Sequence, residues 1–315
     1  MQRMRVGASQ ATALDEISRW IEENTYIGGK PYSYRNHEYQ RRILDSTSRE
    51  VVIRKCSQVG ISEMSVRKAL AMCGMIKDFT TIYTLPTASF AAILAKTRVN
   101  PVIQESPYLR EASNGTDSIE VKQFGTSFLY LKGAASTNAP ISIPTDMLIH
   151  DELDFSDPIV ITQYQSRLTH SPYKFKVKLS TPTIPGKGID LEFQRSRRYY
   201  QFTKCNHCGH QFIPDFFAHV RIPHYSGELL DITRANLHCF DYKEAFVECP
   251  NCGGKPDLGP DHREWVCENP TENFDADGFQ VTPFDAPSIV TPADLIRSSV
   301  AYTNVADFYN FGLGL

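Results

Sequence analysis

Two adjacent acids in the middle of the chain have the residue types that hydrolytic chemistry needs. Asp151 and Glu152 follow His150 and an apolar run at residues 147–149. Hydrolysis of a nucleoside triphosphate needs one carboxylate in the Mg²⁺ shell and a second that orients and deprotonates the attacking water. We assign the first role to Asp151 and the second, catalytic role to Glu152. A solvated loop with two adjacent acids is the alternative interpretation.

A candidate phosphate loop, residues 55–62, lies upstream between a predicted strand and a predicted helix. A Walker A loop has the pattern G-x-x-x-x-G-K-[ST] in that context. Gly60 and Ser62 fit the second glycine and the hydroxyl residue, whereas Lys55 stands at the first glycine and Ile61 at the lysine. Ser62 can bind Mg²⁺, and Lys55 can supply the catalytic cation from the strand end. An ordinary glycine-containing turn is the alternative.

Backbone N–H groups of such a loop surround the phosphates at the start of a helix. The predicted ATP-binding residues of the loop are therefore Lys55, Ser57, Gln58, Val59, Gly60, Ile61 and Ser62.

Two further segments can complete a nucleotide site. Residues 180–183 read Ser-Thr-Pro-Thr after a predicted strand, and the hydroxyls of Ser180 and Thr181 can sense the γ-phosphate. A Thr-Pro turn is the alternative. Tyr39 and Gln40 precede the first core strand and can hold adenine by stacking and by a paired hydrogen bond, unless they are merely a surface pair on a helix.

Four cysteines form two C-x-x-C-G motifs with the spacing of a zinc ribbon. They are Cys205, Cys208, Cys249 and Cys252, and 40 residues separate the two motifs. Zn²⁺ prefers four soft ligands in a tetrahedron, and four protein ligands leave no position for catalysis. We predict a structural zinc site, with roughly residues 213–244 as an insertion. His207, His210 and Cys239 are rival ligands, and four unrelated cysteines are the alternative.

The pattern of apolar residues predicts alternating strands and helices that bring these segments together. Strands are expected at residues 51–55, 80–85, 128–133, 146–151 and 174–180, and helices at 12–24, 38–46, 62–73 and 88–99, with Gly74 as a helix C-cap. This alternation is typical of an α/β fold with a mostly parallel sheet covered on both faces. Ligands bind at the carboxyl ends of such strands, where the acid pair lies.

Three lysines complicate the strand at 174–180. Lys174, Lys176 and Lys178 share one face of it, which does not suit a strand buried on both faces. We expect this strand near an edge of the sheet, or with one face open to solvent or DNA.

Composition excludes several classes of protein. The chain has 315 residues, 41% hydrophobic and 22% charged, with a net charge of −3, so there is no global basic field for nucleic acid. No segment approaches the ~18 apolar residues of a membrane span, and the amino-terminal residues have no signal core. We expect a protein that is not exported. Eight cysteines then argue for metal ligands or buried thiols rather than disulfides.

In their order and spacing these motifs resemble the large terminase subunit of tailed phages, its lambda-like branch in particular. The matching segments are Tyr39–Gln40, residues 55–62, Leu85 to Thr87, Gly133 to Ser136, Leu148 to Asp154, Ser180 to Thr183, and Arg197 to Tyr200 leading into Cys205. That branch is known for phosphate loops whose lysine stands at the start, as Lys55 does here. The resemblance spans about residues 30–315.

The resemblance implies a P-loop NTPase fold of the ASCE type with a small zinc-ribbon module. It implies an ATP- and Mg²⁺-dependent motor that moves double-stranded DNA into a procapsid, in the cytoplasm of the host cell. Expected partners are the small terminase subunit, the portal and further copies in a ring. The expected divisions are an arm at 1–30, an ATPase core at 31–200, the zinc ribbon at 201–268 and a connection toward a nuclease at 269–315.

One feature departs from the family pattern. Related motors have an arginine shortly before the acidic strand, and the chain has none between Gly133 and Asp151, so Arg195, Arg197 or Arg198 is the candidate trans-acting cation. The chain stops where the family begins its nuclease. We interpret Asp275, Asp277 and Asp285 as loop acids and expect no nuclease activity.

Two other functions remain open at this stage. A superfamily 2 helicase shares the acidic pair and the hydroxyl segment. A zinc-ribbon binding or assembly module that does not hydrolyse ATP is the second. Such a module should show no turnover of ATP with or without DNA, and separation of DNA strands would favour the helicase.

Overall fold

The computed structural model describes residues 16–113, 115, 117–135 and 143–315. Residues 12–15 of the first predicted helix and Ser136 of the quoted motif lie outside the described residues. In the described part of the chain no helix is long and apolar enough to cross a membrane.

The strands are short, and most of them join one sheet. They are β1 (Tyr26–Ile27), β2 (Lys30–Pro31), β3 (Glu50–Lys55), β4 (Thr80–Leu85), β5 (Val121–Phe124), β6 (Ser127–Gly133), β7 (Met147–Asp151), β8 (Phe175–Ser180), β9 (Arg197–Lys204), β10 (Gln211–Phe212), β11 (Val220–Arg221), β12 (Phe246–Val247), β13 (Arg263–Cys267) and β14 (Ala276–Val281).

The main sheet has ten strands in the order β10-β9-β14-β3-β8-β7-β4-β6-β5, with β13 paired to β9. All pairs from β9 to β6 are parallel, and antiparallel pairs occur only at the two ends. The predicted α/β fold with a mostly parallel sheet is therefore confirmed. In this order β8 lies between the strand before the phosphate loop, β3, and the strand before the acids, β7.

Helices cover both faces of the sheet. They are α1 (Ile17–Asn24), α2 (Tyr39–Leu44), α3 (Ile61–Met75), α4 (Ala88–Leu94), α5 (Asn100–Glu105), α6 (Pro107–Ala112), α7 (Pro158–Gln165), α8 (Gly188–Gln194), α9 (Phe216–His219), α10 (Pro292–Ser299) and α11 (Val305–Asp307). A π-helical turn, Ala95–Val99, joins α4 to α5, and another, Phe308–Leu313, follows α11.

One predicted helix end is wrong. Gly74 lies inside α3, which continues to Met75, and the residue that ends this helix is Ile76 in extended conformation. Most of α3 is buried, because it runs between the sheet and the amino-terminal helices. Tertiary packing therefore outweighs the preference of glycine for helix ends.

The prediction that the lysine-bearing strand lies near an edge or opens to solvent is also wrong. β8 is an interior strand, and Lys178 is buried. Its ammonium lies 2.7 Å from Glu50 and 2.7 Å from Glu192, and Lys176 pairs with Glu50 as well. Burial lowers the pKa of Lys178, but the two carboxylates outweigh it and the net shift is upward. Lys174, predicted on the same face of the strand, precedes β8 and is exposed. Paired acids from a neighbouring strand and from α8 thus make the buried Lys178 tolerable.

The sheet draws on every part of the chain after residue 30. β9 crosses from the expected core into the expected zinc-ribbon region, β13 returns to pair with β9, and β14 from the last region lies between β3 and β9. The division of the chain into regions stays a prediction. The main sheet contains strands from both sides of the expected boundaries after residues 200 and 268.

Candidate nucleotide site and cysteine cluster

The phosphate loop joins β3 to α3 in a conformation that depends on glycine. Gly60 has φ +74°, and a Cβ there would lie 3.0 Å from Nε2 of Gln40 and 3.1 Å from the His37 ring. Gln58 also has positive φ. The loop therefore has the tight turn and the following helix that a phosphate cradle needs.

The acid pair lies beside this loop. Ser62 Oγ donates to Asp151 Oδ1 at 3.3 Å, and Lys55 Nζ donates to Glu152 Oε1 at 3.1 Å. Lys55 ends β3 and Ser62 lies in the first turn of α3, whereas Asp151 ends β7 and Glu152 follows it. The strand β8 separates β3 from β7, so the sheet brings these residues together. Asp151 is 1% exposed, which excludes the solvated-loop interpretation for it.

Glu152 has an unusual backbone conformation. Its φ is +55°, in the left-handed region that residues with a Cβ rarely adopt, at a cost on the order of 1–2 kcal/mol. Such outliers persist where surrounding structure enforces them, and they cluster at functional sites. The turn directs Glu152 toward Lys55 rather than along the strand.

Tyr83 is a site residue that sequence reasoning missed. Its hydroxyl donates to Asp151 Oδ2 at 2.7 Å, and the residue is fully buried on β4, the strand next to β7. Burial raises the pKa of Asp151, and the Lys55 cation opposes that shift. The signal in the sequence was only a tyrosine inside an apolar strand, which is ordinary core composition.

The hydroxyl segment ends β8 between the loop and the acids. Ser180 Oγ donates to the Thr181 carbonyl at 2.9 Å. The hydroxyl of Thr181 is buried and has no hydrogen-bond partner among the described residues. Thr181 directly follows Ser180, the last residue of β8, which pairs with Arg54 of β3. Two residues before Thr181, Leu179 pairs with Asp151 of β7. A buried unpartnered hydroxyl here fits a ligand oxygen that the protein itself does not supply.

Tyr39 and Gln40 are buried against the phosphate loop, so the alternative of a surface pair is wrong. The Tyr39 hydroxyl donates to the Val59 carbonyl, and Gln40 Nε2 lies 3.4 Å from the same oxygen. Gln40 Oε1 accepts from the Tyr32 hydroxyl at 3.3 Å. The amide of Gln40 is thus engaged with the loop itself, and its contact with adenine stays a prediction.

The carboxyl-terminal residues also reach this site, which the sequence did not predict. Ser57 N donates to the Phe311 carbonyl at 2.8 Å, and Asn310 Nδ2 donates to the Thr183 carbonyl at 3.1 Å. The Phe311 ring stacks on Phe155, at 6.2 Å between centroids. The last turn of the chain therefore contacts the phosphate loop, the turn after Glu152 and the hydroxyl segment.

The four cysteines of the two motifs meet in one cluster. All their sulfurs lie within 4.8 Å of one another, with Cys205 to Cys252 at 3.8 Å and Cys208 to Cys249 at 3.7 Å. A tetrahedron of sulfurs about 2.3 Å from a central Zn²⁺ has edges of about 3.8 Å. The donor set and its spacing fit that metal.

The two motifs have the same local hydrogen bonds. Gly209 N donates to the Cys205 carbonyl at 2.8 Å, and Gly253 N to the Cys249 carbonyl at 3.0 Å. Asn251 Nδ2 lies 3.5 Å from the sulfur of Cys208. Of the rival ligands, His207 contacts the Lys255 carbonyl, and Cys239 is exposed, with its sulfur 3.5 Å from Nε2 of His238.

The predicted insertion between the motifs packs on the end of the chain. Its apolar residues form a core with α10 and with the last turn, and Phe216 contacts Phe308 at 5.1 Å between centroids. The cysteine region is thereby connected to the carboxyl-terminal turn that touches the phosphate loop.

The remaining charged candidates have structural partners. Arg197 pairs with Asp277 at 2.7 Å and Arg198 with Glu268 at 2.6 Å, whereas Arg195 is exposed and has no ion pair among the described residues. The interpretation of Asp277 as a loop acid is wrong, because it is buried within β14. Asp285 is buried as well and pairs with Arg263.

Comparison with known proteins gives one consistent family. A protein-family model described as "Phage terminase large subunit gpA, ATPase domain" matches residues 30–267. The search of curated proteins found no match.

Two solved structures of one terminase ATPase domain show the same fold. The Thermus phage P74-26 large terminase ATPase domain is similar with a TM-score of 0.50 and 15% identity, over 98% of this chain and 98% of that chain. A mutant of that domain is similar with a TM-score of 0.51 and 15% identity, over 90% of this chain and 93% of that chain. The HK97 bacteriophage large terminase has a TM-score of 0.49 and 13% identity. This match covers 57% of this chain and 40% of the length of the HK97 protein.

The family match covers well over half of the chain, and it confirms the resemblance that the order of motifs indicates. The two P74-26 structures agree with it in fold. The chain belongs to the family of phage terminase large subunit ATPase domains, gpA type.

Proposed function

We propose that this chain hydrolyses ATP at the carboxyl edge of the sheet and uses it to move double-stranded DNA. The observation that carries the proposal is the meeting of Lys55 with Glu152 and of Ser62 with Asp151. A cation, a hydroxyl and two carboxylates beside a phosphate loop are the groups that phosphoryl transfer to water requires.

Each residue has a distinct role in this proposal. Backbone N–H groups of residues 58–62 hold the phosphates, and Gln40 reaches adenine once nucleotide displaces its contact with Val59. Ser62 and Asp151 hold Mg²⁺, which when bound neutralises charge on the phosphate oxygens. Ser180 and Thr181 contact the γ-phosphate, and the unpartnered hydroxyl of Thr181 supports that assignment.

Lys55 and Glu152 exchange partners when ATP binds. Without nucleotide the ammonium and the carboxylate satisfy each other at 3.1 Å. A γ-phosphate carries more negative charge than one carboxylate and draws the lysine toward it. Glu152 is then free to accept a proton from the attacking water, which is the role of a general base.

The cysteine cluster holds one Zn²⁺ in a structural role. Sulfur spacings of 3.7 and 3.8 Å support this assignment, and four thiolates leave no open position for a substrate. The metal stabilises the region that packs on the carboxyl-terminal turn.

The working assembly is a ring of copies that acts with the small terminase subunit and the portal of a procapsid in the host cytoplasm. Arg195 is the candidate that reaches a neighbouring copy's ATP, since Arg197 and Arg198 have acidic partners. We expect no nuclease activity, so plasmid DNA stays intact with Mg²⁺ or Mn²⁺.

ATP turnover by purified protein, with and without double-stranded DNA, tests the proposal. The expected result is turnover that DNA and procapsid stimulate, without separation of strands. Strand separation would favour a helicase, and folded protein with no turnover would favour a non-hydrolysing binding module.

A further inference from the structure

A third acid follows the catalytic pair and binds the next crossover of the chain. Asp154 lies in the 3₁₀ turn Leu153–Phe155. Its Oδ2 accepts from the backbone N–H of Thr183 at 3.0 Å and from the Thr183 hydroxyl at 2.9 Å. Its Oδ1 accepts from the backbone N–H of Ile189 at 2.6 Å. Three donors from the segment after β8 therefore converge on one carboxylate.

The opposite side of this contact is shaped for the carboxylate. Gly188 has φ +53°, and a Cβ there would lie 2.3 Å from Asp154 Oδ1. Any side chain at this position would displace either the acid or the backbone. The close approach of the carboxylate to the start of α8 therefore depends on glycine.

The turn that carries Asp154 makes a second contact with the hydroxyl segment. The backbone N–H of Asp154 donates to Ser180 Oγ at 3.3 Å. The turn is thus fastened at the first and last residues of the Ser180 to Thr183 segment. Glu152 precedes this turn directly and has the strained left-handed backbone, so a shift of the turn must move its carboxylate.

We propose that Asp154 is a positioning residue that aligns Glu152 only while the hydroxyl segment is docked. This inference rests on the proposed ATPase function and deepens it. Asp154 does not touch the reacting atoms. It transmits the position of residues 180–183 to the base, so that loss of its hydrogen bonds slows the chemical step and leaves nucleotide binding intact.

A merely structural acid would behave differently. It would lower the melting temperature, and the molecules that stay folded would turn over ATP at the normal rate. A positioning acid lowers kcat in fully folded protein, since a displacement of about 1 Å can cost about 100-fold in rate. The kcat of the folded variant, measured together with its nucleotide affinity and its melting temperature, therefore distinguishes the two roles.

The test compares Asp154→Asn, Thr183→Val, Thr183→Ser and the double variant Asp154→Asn/Thr183→Val. An amide has one acceptor oxygen, and in either orientation its NH₂ group faces a donor. Asp157→Ala is the matched control, because Asp157 caps α7 by accepting from Ile159 N at 2.8 Å, and its loss affects only local stability. Steady-state ATPase, binding of a fluorescent ATP analogue and melting temperature are measured for each.

We expect Asp154→Asn to lower kcat by about 10- to 100-fold, with the Kd of the analogue unchanged. Thr183→Val should lower kcat less, Thr183→Ser should match the wild type, and the double variant should be no slower than Asp154→Asn, because both remove one interaction. Asp157→Ala should lower the melting temperature only.

Normal kcat in folded Asp154→Asn, or additive losses in the double variant, would overturn the inference while the ATPase assignment stands. If Asp154→Asn does not fold, equal kcat for Thr183→Val and Thr183→Ser overturns it instead. A wild type without turnover would overturn the proposed function and this inference with it.

Discussion

The nucleotide edge and the cysteine cluster are built in opposite ways. At the nucleotide edge, Lys55 and Ser62 meet Asp151 and Glu152, which lie far away in the sequence, because β3 and β7 end at the same side of the sheet. In the cluster, two short motifs with the same hydrogen bonds each present a pair of sulfurs. The first site depends on the whole fold, and the second on two local turns whose sulfurs converge.

The difference extends to how each site satisfies its charges without ligand. Lys55 pairs with Glu152, and Asp151 accepts from Ser62 and Tyr83, so these charged groups have partners before ATP arrives. The four sulfurs of the cluster include pairs at 3.7 and 3.8 Å, and thiolates this close repel one another unless a metal ion lies between them. We therefore expect substitutions at the edge to change activity and substitutions in the cluster to change stability.

The largest expected effect is that of Glu152→Gln. The amide keeps the shape of the side chain and loses the base, a role worth about 10²–10⁴-fold in rate. Steady-state kcat should fall by that factor while ATP still binds. Glu120→Gln, which removes the acid of a surface pair with Lys132, is the control and should keep normal kcat. Near-normal turnover of Glu152→Gln would reject this residue as the base.

The second-largest expected effect distinguishes residues 55 and 61, the two positions of the loop at which a catalytic lysine can lie. Lys55→Ala should lose about 100-fold or more in kcat, since it removes the cation that faces the phosphates. Ile61→Ala should keep most activity. It should lower the free energy of unfolding by about 2–5 kcal/mol, because Ile61 is a core residue. Equal activity of the two variants, assayed well below their melting temperatures, would contradict the assignment of Lys55.

Removal of metal from the cysteine cluster should lower the stability of the protein, whereas substitutions at the nucleotide edge should lower its activity. We expect one zinc per chain by elemental analysis, and a loss of about 4 kcal/mol of stability when a metal at about a thousand times its Kd is removed. Cys249→Ser should reduce both zinc content and melting temperature. Cys239→Ser alters an exposed cysteine outside the cluster and should change neither. Folded protein without zinc would refute the metal assignment.

The smallest expected effect is that of Tyr83→Phe. The substitution removes only the hydroxyl that donates to Asp151 Oδ2 at 2.7 Å. Residues that orient a metal ligand typically change metal affinity by about 10–100-fold. The Mg²⁺ concentration that gives half-maximal ATPase activity should rise about 10-fold. The kcat at saturating Mg²⁺ should be nearly unchanged. An unaltered Mg²⁺ requirement would show that Asp151 does not need this hydrogen bond.

What the sequence predicted follows the same division between local and distant contacts. The strand–helix order, the loop at Gly60, the acid pair and the four cysteines each lie in a short pattern with its own chemistry. The interior position of β8 was missed because its lysines are neutralised by Glu50, which is remote from it in sequence, and by Glu192, which only the packing of the following helix brings to Lys178.

The other omissions have the same cause. Tyr83 resembles any buried strand residue until β4 is known to pair with β7. The contact of Ser57 with Phe311 joins two segments more than two hundred residues apart, and no local pattern marks it. Long-range pairing has no signature in a single sequence, whereas turns and ligand spacings do.

The most direct test of the account is a crystal structure of the protein with Mg²⁺ and a non-hydrolysable ATP analogue. The account predicts phosphates against the backbone of residues 58–62, Mg²⁺ between Ser62 and Asp151, and the Lys55 ammonium moved from Glu152 to the γ-phosphate. A saturating analogue that binds elsewhere, with the Lys55–Glu152 pair and the Ser62–Asp151 hydrogen bond intact, would contradict it.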